Sequence, residues 1–279
     1  MKIISYQDIV DDVARLCIDI NYVLDRDVLK GFQESLKVES SPVGKEVLEL
    51  LIKNAQIAEQ EQVPMCQDTG AAVVFIELGE DVRITGGTLT KAITEGVRKG
   101  YQEGYLRKSM CDPFTRENTK DNTPSLIHTE IVPGDKLVIH VAAKGGGSEN
   151  MSSLKMLSPS EGMAGLKKFV VDTVKAAGPN PCPPLVVGVG VGGNFETCAM
   201  LAKKALLRKL GDPSKNEMAA KLEKELLAEI NNTGIGPAGF GGSTTALAIH
   251  IEVMPCHIAT FPVAINLNCH ASRHGTVEY

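Results

Sequence analysis

Five consecutive residues, Cys66-Gln67-Asp68-Thr69-Gly70, put a thiol, an amide and a carboxylate side by side. They follow an amphipathic helical pattern and precede the apolar run Ala71 to Leu78, which reads as a strand. Side chains on such a helix-to-strand turn can face a ligand. Two more cysteines fall at turn-like positions: Cys182 in Pro-Cys-Pro-Pro and Cys269 in Asn-Cys-His. Three widely spaced turn thiols suit an iron–sulfur cluster in which one iron keeps no protein ligand. Such an iron can act as a Lewis acid on a hydroxyl and a carboxylate. Other readings stay open at this point. A zinc site would show paired Cys-x-x-Cys ligands, and no cysteine here is so paired. A single nucleophilic Cys with His257 as its base needs only one of the thiols. An isolated cysteine is most often a core residue.

Two basic or titratable residues join this set. Arg107 closes a helical pattern, where it either interacts with the helix C-terminus or offers a fork to a carboxylate. His257, in Pro255-Cys256-His257, falls at a strand end, either structural or catalytic. Lys144-Gly-Gly-Gly147-Ser148 lacks the ending of a P-loop. Its glycines could let backbone N–H groups converge on a carboxylate, or form a hairpin tip. Gly188-Val-Gly190-Val-Gly-Gly193 matches a dinucleotide fingerprint in spacing and reads as a strand-to-helix turn. No acidic residue follows at the end of a next strand to grip a ribose, which weighs against nucleotide binding.

The elements that must position these residues alternate. Ser5 with Asp8 opens a helix whose stripe is Ile9, Val10, Val13, Leu16, Cys17 and Ile20. Ser41-Pro42 opens another, and a third runs from about Thr90 to Tyr105. Residues 108–126 read as a long polar loop, of the kind that is often functional. Leu137 to Ala142 alternates as a strand. Ser158-Pro-Ser-Glu161 caps a helix that stops at Gly178, and Leu185 to Val189 is a buried strand. Ser214 with Glu217 is expected to cap one more helix, ending at Gly234. Ala246 to Val253 alternates with His250 and Glu252 on the wetter face, while His128 reads as a loop residue and His140 as strand surface. Helices interspersed with strands place the chain in the α/β (mixed α+β) class. The expected architecture is small mixed or antiparallel sheets flanked by helices, in one compact unit over 1–279.

Composition bounds the rest. Of 279 residues, 43% are hydrophobic, none is Trp and only 4% are aromatic, so the core must be aliphatic. A net charge of −5 argues against a nucleic-acid binder. No apolar run is long enough to span a bilayer, so no membrane partner is expected. The N-terminus leads into an acidic helix and does not read as a signal peptide. Seven cysteines without such a signal point to reduced thiols in the cytoplasm.

Taken in order, Val63-Pro-Met-Cys-Gln-Asp-Thr-Gly70, Lys144-Gly-Gly-Gly-Ser148, Cys182-Pro-Pro184 and the segment from His257 to Cys269 resemble the α subunit of class I, iron–sulfur-dependent fumarases. The α subunit of L-tartrate dehydratase is the related alternative. The resemblance covers nearly the whole chain. It implies a [4Fe–4S] cluster on Cys66, Cys182 and Cys269. It implies substrate contacts from Gln67, Arg107 and the Gly147 backbone, with Asp68 as proton donor and His257 lining the pocket. The small dicarboxylate would be fumarate or (S)-malate. A separate β subunit would supply the remaining catalytic groups. Cys256 stands where single-chain members carry Arg, so it is not read as a ligand. A non-catalytic iron–sulfur redox sensor is the reading from another functional class, because an open iron is readily oxidised.

Overall fold

A computed structural model describes residues 1–279. Along the chain run β1 (Lys2–Ser5), α1 (Tyr6–Tyr22), α2 (Arg26–Val38), α3 (Pro42–Glu61), β2 (Ala71–Gly79) and β3 (Val82–Thr85). Then follow α4 (Leu89–Glu103), β4 (Leu126–Val132), β5 (Leu137–Lys144), α5 (Gly146–Glu149) and β6 (Ser153–Leu157). The last part comprises α6 (Gly162–Ala177), β7 (Leu185–Gly192), α7 (Phe195–Ala205), α8 (Glu217–Asn231), β8 (Ala246–Met254), β9 (Phe261–Asn268) and β10 (His274–Glu278). The class is the one expected, α/β with small mixed sheets flanked by helices. Two compact units share the chain: residues 1–25, 55–146 and 273–279 form one, and 26–54 and 147–272 the other.

In the first unit a four-stranded sheet runs in the order β10-β5-β2-β4, with β4 parallel to β2 and the other pairs antiparallel. Helices α1 and α4 cover it. Ile9, Val10, Val13 and Cys17 of α1 meet Ile93, Val97 and Tyr101 of α4 over Val74, Ile76, Ile139 and Val141. Gly96 and Gly100 let the two helices approach closely: a Cβ on Gly96 would lie 2.7 Å from the Val13 side chain. The long loop ends at Pro124–Ser125, and β4 begins at Leu126. His128 is therefore a strand residue, stacked on Phe75 with ring centroids 4.8 Å apart, not the loop residue expected.

In the second unit the sheet order is β6-β9-β7-β8, and only β7 and β8 pair in parallel. Helices α6 and α8 bury Val170, Val174, Leu222 and Leu226 against Val187, Val189, Ile249 and Ile251. On the other side α7 brings Cys198 and Ala202 to Ala264. The glycine series proves to be something other than a turn. Gly188 and Gly190 lie inside β7, where a Cβ would come within 2.0 Å of the α7 carbonyls of Ala202 and Cys198. Only Gly192 and Gly193, at φ 90 and 68, make the turn. The spacing that imitates a dinucleotide fingerprint thus reflects close helix–strand packing.

Two further expectations are corrected here. The cap of α8 is Asn216, whose side chain accepts from Ala219 N–H, because Ser214 Oγ instead donates to the Ile251 carbonyl. His250 is only 2% exposed rather than on a wet face. Its Nδ1 lies 3.1 Å from the Ala205 carbonyl, and its Nε2 is buried without a partner. Burial pushes its pKa down from 6.5 to about 4, with Arg208 adding to the fall and Glu223 and Asp212 opposing it. Below pH 6.5 the unfolded chain takes up a proton that the folded chain refuses, so stability falls as pH drops toward 4. The full loss is of order 3 kcal/mol. Urea midpoints measured between pH 7 and 4.5 should decline, and His250→Gln should flatten that decline.

Candidate functional site

The Cys66–Gly70 turn is held from below by buried polar groups of its own unit. Met65 N–H donates to the Asn21 carbonyl at 2.9 Å. Tyr101 Oη lies 2.7 and 2.9 Å from the carbonyls of Thr69 and Gly70. Asn122, fully buried, donates to the Gly70 carbonyl and accepts from Ser109 N–H, tying in the long loop. Burial pushes the Tyr101 phenol well above its ordinary range, so it stays a neutral donor. Gly70 is at φ 74, and a Cβ there would lie 2.7 Å from Lys144 N. No other residue lets the turn lie this close to the end of β5.

This geometry places Asp68 against the glycine loop. Its Oδ1 accepts from Gly70 N–H at 3.0 Å and its Oδ2 from Gly146 N–H at 2.8 Å. Two segments singled out in the sequence are thereby joined by one carboxylate. Arg107 belongs to the same neighbourhood, since Thr69 Oγ1 donates to its carbonyl at 3.0 Å, and its side chain is exposed. Gln67 is exposed, with Oε1 3.5 Å from Cys66 Sγ. In this unit the structure therefore brings together Cys66, Gln67, Asp68 and Arg107.

The other predicted residues belong to the second unit. Cys182 is exposed at φ 55, a left-handed conformation that costs a non-glycine residue roughly 1–2 kcal/mol. Its carbonyl accepts from His270 N–H at 3.1 Å, which ties the Cys182 turn to the Cys269 turn. Ala238 N–H donates to the Pro183 carbonyl at 2.7 Å, so the glycine-dense loop braces the same turn. That loop is fixed by Glu39, which accepts from Ser41, Ser243 and Thr244 N–H groups. Burial alone would raise the Glu39 pKa, but these donors outweigh it and hold it down to about 2. Gly147 lies exposed in α5, a single turn of helix, and Cys269 is half-buried. His257 is exposed between β8 and β9, its Nδ1 accepting from Ala259 N–H at 3.2 Å. A surface cavity at the β8 edge, lined by Asp212, Glu223, Lys224, Leu247 and His250, contains none of the predicted site residues.

All seven cysteines are free thiols. Cys17 and Cys198 are buried, and burial pushes both thiols up, Cys17 to about 12. Such thiols are poor ligands, because it is the thiolate that binds metal. Cys66, Cys182 and Cys269 instead lie on non-helical turns, and none is sealed. Their chemistry fits an iron–sulfur cluster, whose irons take thiolate sulfur. No three His, Cys, Asp or Glu side chains of the chain are grouped as a metal site. Sequence reasoning missed Tyr101 and Asn122. They read as an ordinary helix residue and an ordinary loop residue, and only the hydrogen bonds to the Cys66–Gly70 turn distinguish them.

Comparison with known proteins covers almost the full chain. The family model described as fumarate hydratase (Fumerase) matches residues 10–278. A Methanocaldococcus jannaschii protein with the provisional name L(+)-tartrate dehydratase subunit alpha is 44% identical over 269 residues, 94% of each chain. The L(+)-tartrate dehydratase subunit alpha of Escherichia coli K12 is 34% identical over 269 residues, covering 95% of this chain and 88% of its own. That of Escherichia coli O157:H7 is 35% identical with the same coverage. A match of this extent, on a chain whose Asp68 carboxylate joins two of the four segments that carry the resemblance, shows that the protein belongs to the fumarate hydratase (Fumerase) family of hydro-lyases.

Proposed function

We propose that this chain is the α subunit of a cytoplasmic [4Fe–4S]-dependent hydro-lyase that interconverts fumarate and (S)-malate together with a separate β subunit. The anchoring of Asp68 between Gly70 and Gly146 is the observation that supports this reading most strongly. Cys66, Cys182 and Cys269 would hold the cluster. When bound, it supplies a Lewis-acidic iron for the substrate hydroxyl and carboxylate.

This chain's own residues do the rest of its share. Each Asp68 oxygen accepts one backbone N–H, which fixes the carboxyl plane and leaves a lone pair on each oxygen for a proton. In the dehydration direction Asp68 gives that proton to the departing hydroxyl, so that water leaves. The C3 proton passes to a group of the β subunit. Its removal builds negative charge on the adjacent carboxylate, which the exposed Arg107 guanidinium would stabilise. Gln67 and the Gly147 backbone orient the substrate, and His257 lines the pocket.

The names of the relatives favour a second reading, an L-tartrate dehydratase α subunit. A substrate panel decides between the two. The α and β chains are reconstituted anaerobically and offered malate, L-tartrate and a methylated malate. Fumarate absorbance rising from malate, with tartrate inert, is the expected result. Preferential turnover of tartrate establishes the second reading. A brown protein that turns over none of them abandons both in favour of a redox sensor.

A further inference from the structure

Arg273 is 3% exposed and forms no ion pair, an uncommon state for a permanently charged group. Its guanidinium is only partly satisfied. Nη1 donates to Asn21 Oδ1 at 2.9 Å. Asn21 is itself fully buried and fixed, its Nδ2 donating to the Cys17 carbonyl at 2.9 Å. Nε is sealed from solvent with no partner, whereas Nη2, also without a partner, is not among the sealed atoms. Taking a guanidinium out of water without a counter-charge is costly, so the arrangement is half of an interaction.

The open corner of this group faces the candidate site. Nη2 lies 3.7 Å from the point that a Cβ on Gly145 would occupy, and Asp68 Oδ2 lies 3.2 Å from the same point. The carboxyl that would move the proton and an unpaired cation therefore border the same point beside Gly145, where any side chain would crowd Asp68. All of these residues belong to the first unit. We propose that Arg273 binds substrate, its Nη2 donating to a carboxylate oxygen of the dicarboxylate held beside Asp68. The proposal rests on the hydro-lyase reading for the nature of the anion. A fixed, desolvated Arg suits a carboxylate better than a Lys would, because its donors are planar and pre-oriented.

The test uses the reconstituted α–β complex. Losing a charge-assisted hydrogen bond of this kind is worth roughly tenfold to a hundredfold in binding. Arg273→Gln should therefore raise KM, and the Kd of succinate measured by calorimetry, by about that factor. The visible spectrum of the cluster should be unchanged, and Arg273→Lys should recover part of the affinity. A Gln variant that folds and binds succinate within twofold of wild type overturns the proposal while leaving the hydro-lyase reading intact. A wild-type complex that binds no dicarboxylate and turns none over sinks both. Should Arg273→Gln not fold, a structure of the wild-type complex with succinate decides. A carboxylate oxygen within hydrogen-bond reach of Nη2 supports the proposal, and its absence overturns it.

Discussion

Asp68→Asn should lower kcat by about a hundredfold or more while leaving the cluster and the fold in place, the usual scale for a lost general acid. The substitution is nearly isosteric, but its amide cannot deliver the proton. The structure adds a condition on how the result is read. Asp68 Oδ2 accepts from Gly146 N–H, and Oδ1 from Gly70 N–H. An asparagine can satisfy one of these donors with its oxygen, but its NH2 would face the other. Water reaches the exposed Gly146 donor, so the mismatch costs only about 1 kcal/mol. Stability should therefore fall modestly as well, and the two effects separate by measurement. The kcat loss should persist at 10 °C, where circular dichroism should show the variant fully folded. Normal turnover at full folding would remove Asp68 from the chemistry and leave it the role of fastening the turn to the glycine loop.

Replacing Cys66, Cys182 or Cys269 by serine should each abolish cluster incorporation and reduce turnover to background. Serine oxygen is a poor substitute for thiolate sulfur toward these irons. Cys17→Ser and Cys198→Ser are the contrasting pair. Both thiols are packed in the core, Cys17 against Tyr101 and the sheet, and Cys198 against Ala202 and Ala264. Their loss should lower the melting temperature but keep the visible band, since neither offers an accessible thiolate. Iron and acid-labile sulfide content, measured after anaerobic reconstitution, reads out all five variants. Bleaching by Cys198→Ser alone, with Cys182→Ser still brown, would transfer the ligand role from the Cys182 turn to α7.

How much of this was legible in the residues differs between fold and site. The α1 stripe, the Pro42 start, the Ser158 capping box and the strand at Ala71 are all found where their patterns put them. These are local signals, since periodicity and caps act over a few residues. The strand at Leu126–Val132 leaves little pattern in the residues, because neither of its faces is fully buried and it follows a proline-bearing loop. Alternation puts His250 on an exposed face, yet α7 covers that face of β8 and leaves the imidazole dry. Gly188 and Gly190 carry a turn's composition inside a strand, because what they accommodate is the backbone of a helix.

The sequence by itself determined the class of fold, the aliphatic core and the candidate residue set centred on Cys66-Gln67-Asp68. Each of those follows from side-chain chemistry or from order along a short stretch. Tertiary structure alone decided which groups face one another. The Asp68–Gly146 hydrogen bond joins residues 78 positions apart, and the Arg273–Asn21 hydrogen bond spans 252. No local pattern encodes such a pairing, because its energy appears only when distant segments are packed and water is excluded from between them.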